Sequence, residues 1–237
     1  MRRGQRGVTL MEVMIAVTLL SLLTLGMFIA MRVGLNTYGK VQTRLMENRR
    51  VAGAQRILQQ ELDNIIPVVT GCGGSQNGGQ SFGYFHGDER SMRLVTSFSL
   101  QQGSRGRPQI LEFLVIPGEE RGVRLVVNES PYTGPGSAGK YCVGMSGPIP
   151  QFMPASAGPS SFVLADKLDY CRFSFLGPGE KPSDPGIWVP AWTIKGFPYA
   201  IRVEMAPLEP DPGRVQPVTV MAPVYLIRNL EERYADQ

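Results

Sequence analysis

Histidine is almost missing from this chain: His86 is the only one among 237 residues. A catalytic triad or an imidazole-based metal site would have to be built around that single ring, and zinc sites seldom rely on one His without Cys or further carboxylates. Beside Asp88 and Glu89, His86 is expected to mark a surface turn after a strand. Cysteine is scarce too, with only Cys72, Cys142 and Cys171. An odd number fits one disulfide plus one free thiol in an oxidising compartment. A basic excess is also lacking where it would matter. Three of the 24 basic residues lie in Met1–Gly7, leaving 21 against 20 acidic side chains, so there is no electrostatic case for nucleic-acid binding. Gly and Pro together make up about a fifth of the chain, below the ~25–30% expected of disorder. There is no internal repeat.

Several motifs of chemistry fail on inspection. Gly134-Pro-Gly136-Ser-Ala-Gly139 matches G-x-G-x-x-G literally, but it has Pro inside, a polar loop upstream and no expected helix downstream, so a dinucleotide site is excluded. Gly73–Gly79 lacks the Gly-Lys-Ser/Thr ending of a phosphate loop. Gly144-Met-Ser146-Gly147 runs into Pro148 and is no nucleophile elbow. Glu180 and Asp184 do not form a calcium-loop pattern. Trp188 and Trp192 flank a Pro-bearing segment and are expected in a core or under a loop, the alternative being an exposed partner surface. The chain is expected to be non-enzymatic, with no cofactor and no metal.

Charge is absent over another stretch, with one exception. Val8–Met31 is a 24-residue run whose single charge is Glu12. At 1.5 Å per residue this run spans ~36 Å as a helix, enough to cross a bilayer. A secretory signal has a shorter apolar core and a small-residue cleavage site after it; neither is present. A carboxylate inside a membrane-length helix costs ~2.5 kcal/mol or more, so it normally has a partner and a job. The arginines Arg2, Arg3 and Arg6 precede the run, which orients the amino end toward the cytoplasm.

Beyond Arg32 the pattern turns amphipathic. Tyr38, Val41, Leu45 and Ala52 recur at helical spacing, followed by Leu58, Leu62 and Ile65. Lys40, Arg44, Glu47, Arg49, Arg50, Arg56, Glu61 and Asp63 supply the polar face. Pro67 supplies a stop at Ile66. Val8–Ile66 is thus expected as ~90 Å of nearly continuous helix, with one stripe on the head and the Tyr38, Val41 and Leu45 stripe facing neighbouring subunits. Strands are then expected near Phe82–His86, Arg93–Phe98, Gln109–Ile116, Val123–Asn128, Phe162–Leu164, Leu168–Leu176, Ala200–Met205 and Val218–Ile227, and Ser130–Ser160 as a long loop region. The fold class is α+β: a long N-terminal transmembrane and amphipathic helix followed by an antiparallel β-rich head. The expected segments are 1–7, 8–31, 32–66 and 67–237.

The cysteines divide by context. Cys171 lies on one face of a strand with Phe173 and Phe175 and reads as a buried small hydrophobe. Cys72 and Cys142 lie in Gly-rich irregular segments, so the favoured pairing is Cys72–Cys142. Closing a loop of that length would stabilise by ~4 kcal/mol in the chain-entropy model.

The basic stretch, Gly7, and Thr9-Leu-Met-Glu12 entering the helix resemble the type IV prepilin leader. The resemblance implies cleavage by prepilin peptidase between Gly7 and Val8, N-methylation of Val8, and a registry role for Glu12, the fifth mature residue. Val8 departs from the usual Phe at the first mature position. In that family the glutamate meets the ammonium of an adjacent subunit; in an isolated subunit it is expected to lack a fixed partner. Asn48–Asn64, Leu164–Leu176, the two tryptophans, Phe197–Glu204 and a closing strand near Val220–Ile227 are, as a set, similar to the J-type minor pseudopilin of type II secretion. That resemblance implies an inner-membrane subunit with a periplasmic head. Its implied partners are I- and K-type minor pseudopilins, the major pseudopilin and an inner-membrane assembly platform driven by a cytoplasmic ATPase. Two other readings stay open: a minor pilin of a type IV or competence pilus, and a membrane-anchored periplasmic enzyme or receptor.

Overall fold

The computed structural model describes residues 9–72, 81–100, 103–147, 149–179, 181, 184–194, 196–208 and 217–224, with side chains omitted at 39–52 and 104–105. Two compact units result, Met1–Asn48 and Arg49–Gln237. One helix, α1 (Leu10–Asp63), contributes to both. Its first part, Leu10–Tyr38, is long and apolar enough to cross a membrane, and none of it is buried.

The helix ends three residues before the expected Ile66, because the backbone there is taken up by the sheet. The Ile66 N–H donates to the Val95 carbonyl at 2.8 Å and the Ser97 N–H to the Asn64 carbonyl at 3.0 Å, while Ile65 bridges Thr96. The Asn64 side chain donates back to the Gln60 carbonyl at 2.6 Å, which satisfies one of the carbonyls a helix end leaves open.

Twelve described strands follow: β1 (Val69–Gly71), β2 (Ser81–Gly83), β3 (His86–Gly87), β4 (Ser91–Ser99), β5 (Ser104–Pro117), β6 (Val123–Pro131), β7 (Cys142–Ser146), β8 (Ile149–Phe152), β9 (Phe162–Gly177), β10 (Ile187–Val189), β11 (Ala200–Pro207) and β12 (Val218–Pro223). The main sheet runs in the order β12-β11-β9-β6-β5-β4-β3, with β10 also on β9, and its described pairings are all antiparallel. The α+β class expected from the sequence is the class observed.

Two expected strands, 162–164 and 168–176, are one strand, β9. Its first half pairs with β6 and its second half with β11. At the changeover Lys167 takes φ 55, a left-handed value that non-glycine residues rarely adopt. Asp166 steadies it by accepting the Lys167 N–H at 2.8 Å. The β5–β6 turn closes beside this point through Gly122 at φ 75, where an added Cβ would stand 2.3 Å from the Leu168 carbonyl oxygen.

The sheet is covered on both faces. On one, Ala54, Leu58 and Leu62 of α1 join Leu94, Leu111 and Leu125 in the main core; burying each such leucine is worth roughly 1.5–3 kcal/mol. On the other, Val95 and Ile110 are covered by Val68, Phe82, Tyr84, Ala138 and Cys142. The region expected as a long loop contributes here through the β7–β8 hairpin and α2 (Pro135–Gly139). Cys72 and Cys142 are disulfide-bonded, with Cα atoms 4.9 Å apart, which ties the hairpin to the end of β1. Cys171 is free and buried in the main core, and burial pushes its thiol up to about 12, an inert environment for a cysteine.

Candidate functional site

Helix α1 begins with a reciprocal arrangement built from Thr9-Leu-Met-Glu12. The Glu12 N–H donates to Thr9 Oγ1 at 3.3 Å, while Thr9 N–H and Thr9 Oγ1 both reach Glu12 Oε2 at 3.4 Å. This is a capping box: Thr9 is the N-cap, Glu12 the third helical residue, and each satisfies an open donor of the other. A carboxylate in the first turn also faces the positive end of the helix dipole. The expectation that Glu12 lacks a partner in the isolated chain is therefore corrected. Its partner is Thr9, three residues away, and the T-x-x-E spacing that signals this was already in the sequence.

The rest of the apolar segment hides its few polar atoms. Thr18, Ser21, Thr24 and Thr37 donate their hydroxyls to the carbonyls of Ile15, Val17, Leu20 and Val33 at 2.8–3.0 Å. In a medium without water such internal satisfaction removes a penalty each free hydroxyl would carry. Tyr38 is exposed. Gly7 and Val8 lie outside the described residues, as do the side chains of Val41 and Leu45.

In the head the most organised charged group is Arg93, on β4. Its guanidinium is buried between the rings of Tyr141 and Phe152, at 4.8 and 5.4 Å from their centroids. It pairs with Glu112 of β5, Nε donating to Oε1 at 2.7 Å, and a terminal nitrogen donates to the Met153 carbonyl at 3.1 Å. Asn128 of β6 donates to the second oxygen of Glu112 at 3.2 Å. Three strands and the segment after β8 are thus joined through the Arg93–Glu112 pair. Nothing in the sequence singled out Arg93, since a lone arginine on an alternating strand reads as solvent-facing.

His86 sits in β3 rather than in a turn, half-buried against the Phe152 ring at 5.1 Å. Its Nε2 lies 3.6 Å from Asp88. Burial alone would raise the Asp88 carboxyl, but the nearby His86 ring and hydrogen bonds from the Ser91 hydroxyl and from the Arg90 and Ser91 backbone hold it well below the usual range. Asp88 therefore works as the cap of the 88–91 turn. The two side chains line a cavity of about 200 Å³ together with Ser91 and Arg93. Gly134 and its neighbours form a five-residue helix, α2, which the sequence reading did not expect; Pro135 sits at its start and Ser137 Oγ donates to the Gly134 carbonyl at 2.7 Å.

Trp192 is buried, its indole N–H donating to the Gly196 carbonyl at 3.0 Å. Trp188 is half-buried under the Arg202 guanidinium at 3.8 Å. Among the described residues, no three His, Cys, Asp or Glu side chains are grouped to hold a metal ion.

Comparison with known proteins finds one family match. Residues 2–28 match the prokaryotic N-terminal methylation motif. No curated protein matches the chain. The match covers the basic stretch, the capping box and most of the apolar segment. The N-terminus is therefore a prepilin-type methylation signal on a single apolar helix ahead of a β-rich head, which supports a protein of the type IV pilin and pseudopilin class, processed by prepilin peptidase and assembled with other pilins.

Proposed function

We propose that this chain is a J-type minor pseudopilin of type II secretion, a non-enzymatic subunit without cofactor that co-assembles with I- and K-type partners at the pseudopilus tip. The observation that carries the class is Glu12 in a capping box at the head of an apolar helix, inside a methylation motif. The finer assignment is supported by the order of the later sequence blocks. They fall on the end of α1 and on β9, β11 and β12, adjacent in one sheet.

Assembly follows from the chemistry of the helix start. In the membrane Thr9 shields the Glu12 carboxylate. An incoming subunit presents its methylated Val8 ammonium, a stronger partner than the Thr9 hydroxyl because it brings a full opposite charge to the carboxylate. Exchange of one partner for the other neutralises both charges in the apolar layer and sets the axial register. The head lies in the periplasm, and the amino end enters from the cytoplasmic side of the inner membrane.

The test is co-purification of the full-length chain, in detergent, with I- and K-type subunits after co-expression with prepilin peptidase. A heteromeric complex is expected. Tyr38→Asp, Val41→Asp and Leu45→Asp should weaken recovery by about tenfold or more, while the head keeps its thermal unfolding. Clean monomers of the unaltered chain would count against the assignment, and recovery with pilus subunits instead would favour the minor-pilin reading.

A further inference from the structure

The polar face assigned to α1 from sequence contains one member that is not polar-facing. Glu61 is fully buried. It shares its side of the helix with Ala54, Leu58, Leu62 and Ile65, at spacings of seven, three, one and four residues, and among the described residues no donor lies within hydrogen-bond geometry of either carboxylate oxygen. Among the described residues, two groups on neighbouring strands act on it: the hydroxyl of Thr96, on β4 and itself fully buried, and the carboxylate of Glu129, on β6. Glu129 is itself held in place, accepting from Ser99 Oγ at 2.5 Å. On the helix, Leu58 and Leu62 flank Glu61 without charge, and Asp63 is turned outward, accepting from Gln59 at 2.9 Å.

A buried carboxylate in this position is tolerable only without its charge. Ionised, it would sit in a low-dielectric seam where, among the described residues, the Thr96 hydroxyl favours the charge and burial and the Glu129 carboxylate oppose it. Its location gives the charge state a mechanical consequence, because Glu61 lies two residues before the end of α1, where the helix is held to the sheet by the Ile65–Thr96 bridge and the Ile66 and Ser97 backbone bonds.

We propose that Glu61, facing Glu129, makes the seat of the α1 end on the sheet a proton-operated joint: neutral Glu61 keeps the last turns docked, and ionised Glu61 loosens them. This reading rests on the packing of the head alone and not on which partners the subunit takes. Burial, with the Thr96 hydroxyl opposing and Glu129 reinforcing, raises the Glu61 carboxyl from 4.5 to about 7. The docked state thus holds the proton more tightly than the undocked state. The contribution of the Glu61 proton to docking is full below pH 4.5, falls as pH rises, and is lost once the docked group also ionises, near pH 7, leaving only the packing and backbone bonds.

Amide hydrogen exchange of the full-length chain in detergent micelles, read on peptides spanning 58–66 and corrected for intrinsic rates, tests the joint. Between pH 5 and pH 7 the opening constant of this segment should rise by about tenfold per pH unit, then level off, while peptides from β5 stay constant. Glu61→Gln should remove the rise. Glu129→Gln should keep it but make it level off at lower pH. Glu61→Met, which neither titrates nor needs a hydrogen bond, gives the same flat profile if Gln folds poorly. A flat profile in the unaltered chain, or an unchanged rise in Glu61→Gln and Glu61→Met, would overturn the proposal.

Discussion

Glu12→Val is expected to leave membrane insertion and leader cleavage intact and to abolish co-assembly and secretion. Valine removes the only charge from the 24-residue apolar run, so insertion gains rather than loses. In the assembly chemistry proposed above, what disappears is the partner for the incoming ammonium. Removing one member of a buried ion pair costs about 3–5 kcal/mol, because the other charge is left uncompensated. At 1.4 kcal/mol per tenfold, that is a loss of about 100-fold or more in association. The substitution also opens the capping box, worth ~1 kcal/mol at the helix end, and Glu12→Gln separates the two effects. Glutamine can still reach the Thr9 N–H, as the capping box allows either residue, but it carries no charge. If register depends on charge, Gln should fail as Val does in crosslinking to partner subunits and in secretion. Recovery of function by Gln would assign the role to helix capping instead.

The second large effect lies in the head. Glu112→Ala is expected to destabilise it by about 3–5 kcal/mol, since the Arg93 guanidinium would stay buried between two rings without its counter-charge. For a head of this size that corresponds to a fall in Tm of roughly 10 °C. Replacing Arg93 and Glu112 together by Met and Leu should cost less than Glu112→Ala alone, because no charge is then stranded. A double-mutant cycle by thermal unfolding of the full-length chain in detergent measures the coupling. Losses under about 1 kcal/mol for Glu112→Ala would mean that solvent reaches the guanidinium and that the pair is an ordinary surface one.

How far the fold was legible depends on whether a signal was local. The apolar run and its single glutamate announce themselves within 24 residues, and strand alternation announces most of the sheet. The β7–β8 hairpin did not, because what holds it is distant in sequence: the bond from Cys142 to Cys72 and the packing of Phe152 against Phe82 and Tyr84. The union of two expected strands into β9 depends on one residue, Lys167, adopting a left-handed backbone, which neither propensity nor period foretells.

The site was legible in its parts and misread in its connections. Glu12 stands out in the sequence as a lone charge, and T-x-x-E is also a readable helix-start signal for its bond to Thr9. Glu61 was assigned to the polar face by residue type, while the period of α1 puts it seven residues after the buried Ala54 and therefore inward. Arg93 had no sequence signal, because its worth comes from Glu112 on β5, Phe152 on β8 and Tyr141 in the turn before β7, all distant in sequence.

The prepilin-type signal at the N-terminus underlies membrane anchoring and assembly alike, and the mass of the mature amino-terminal peptide tests it most directly. With prepilin peptidase present, the chain is expected to begin at Val8 with one methyl group on its nitrogen, and Gly7→Leu should block the cut. An uncleaved chain, or a cut near Met31, would contradict it.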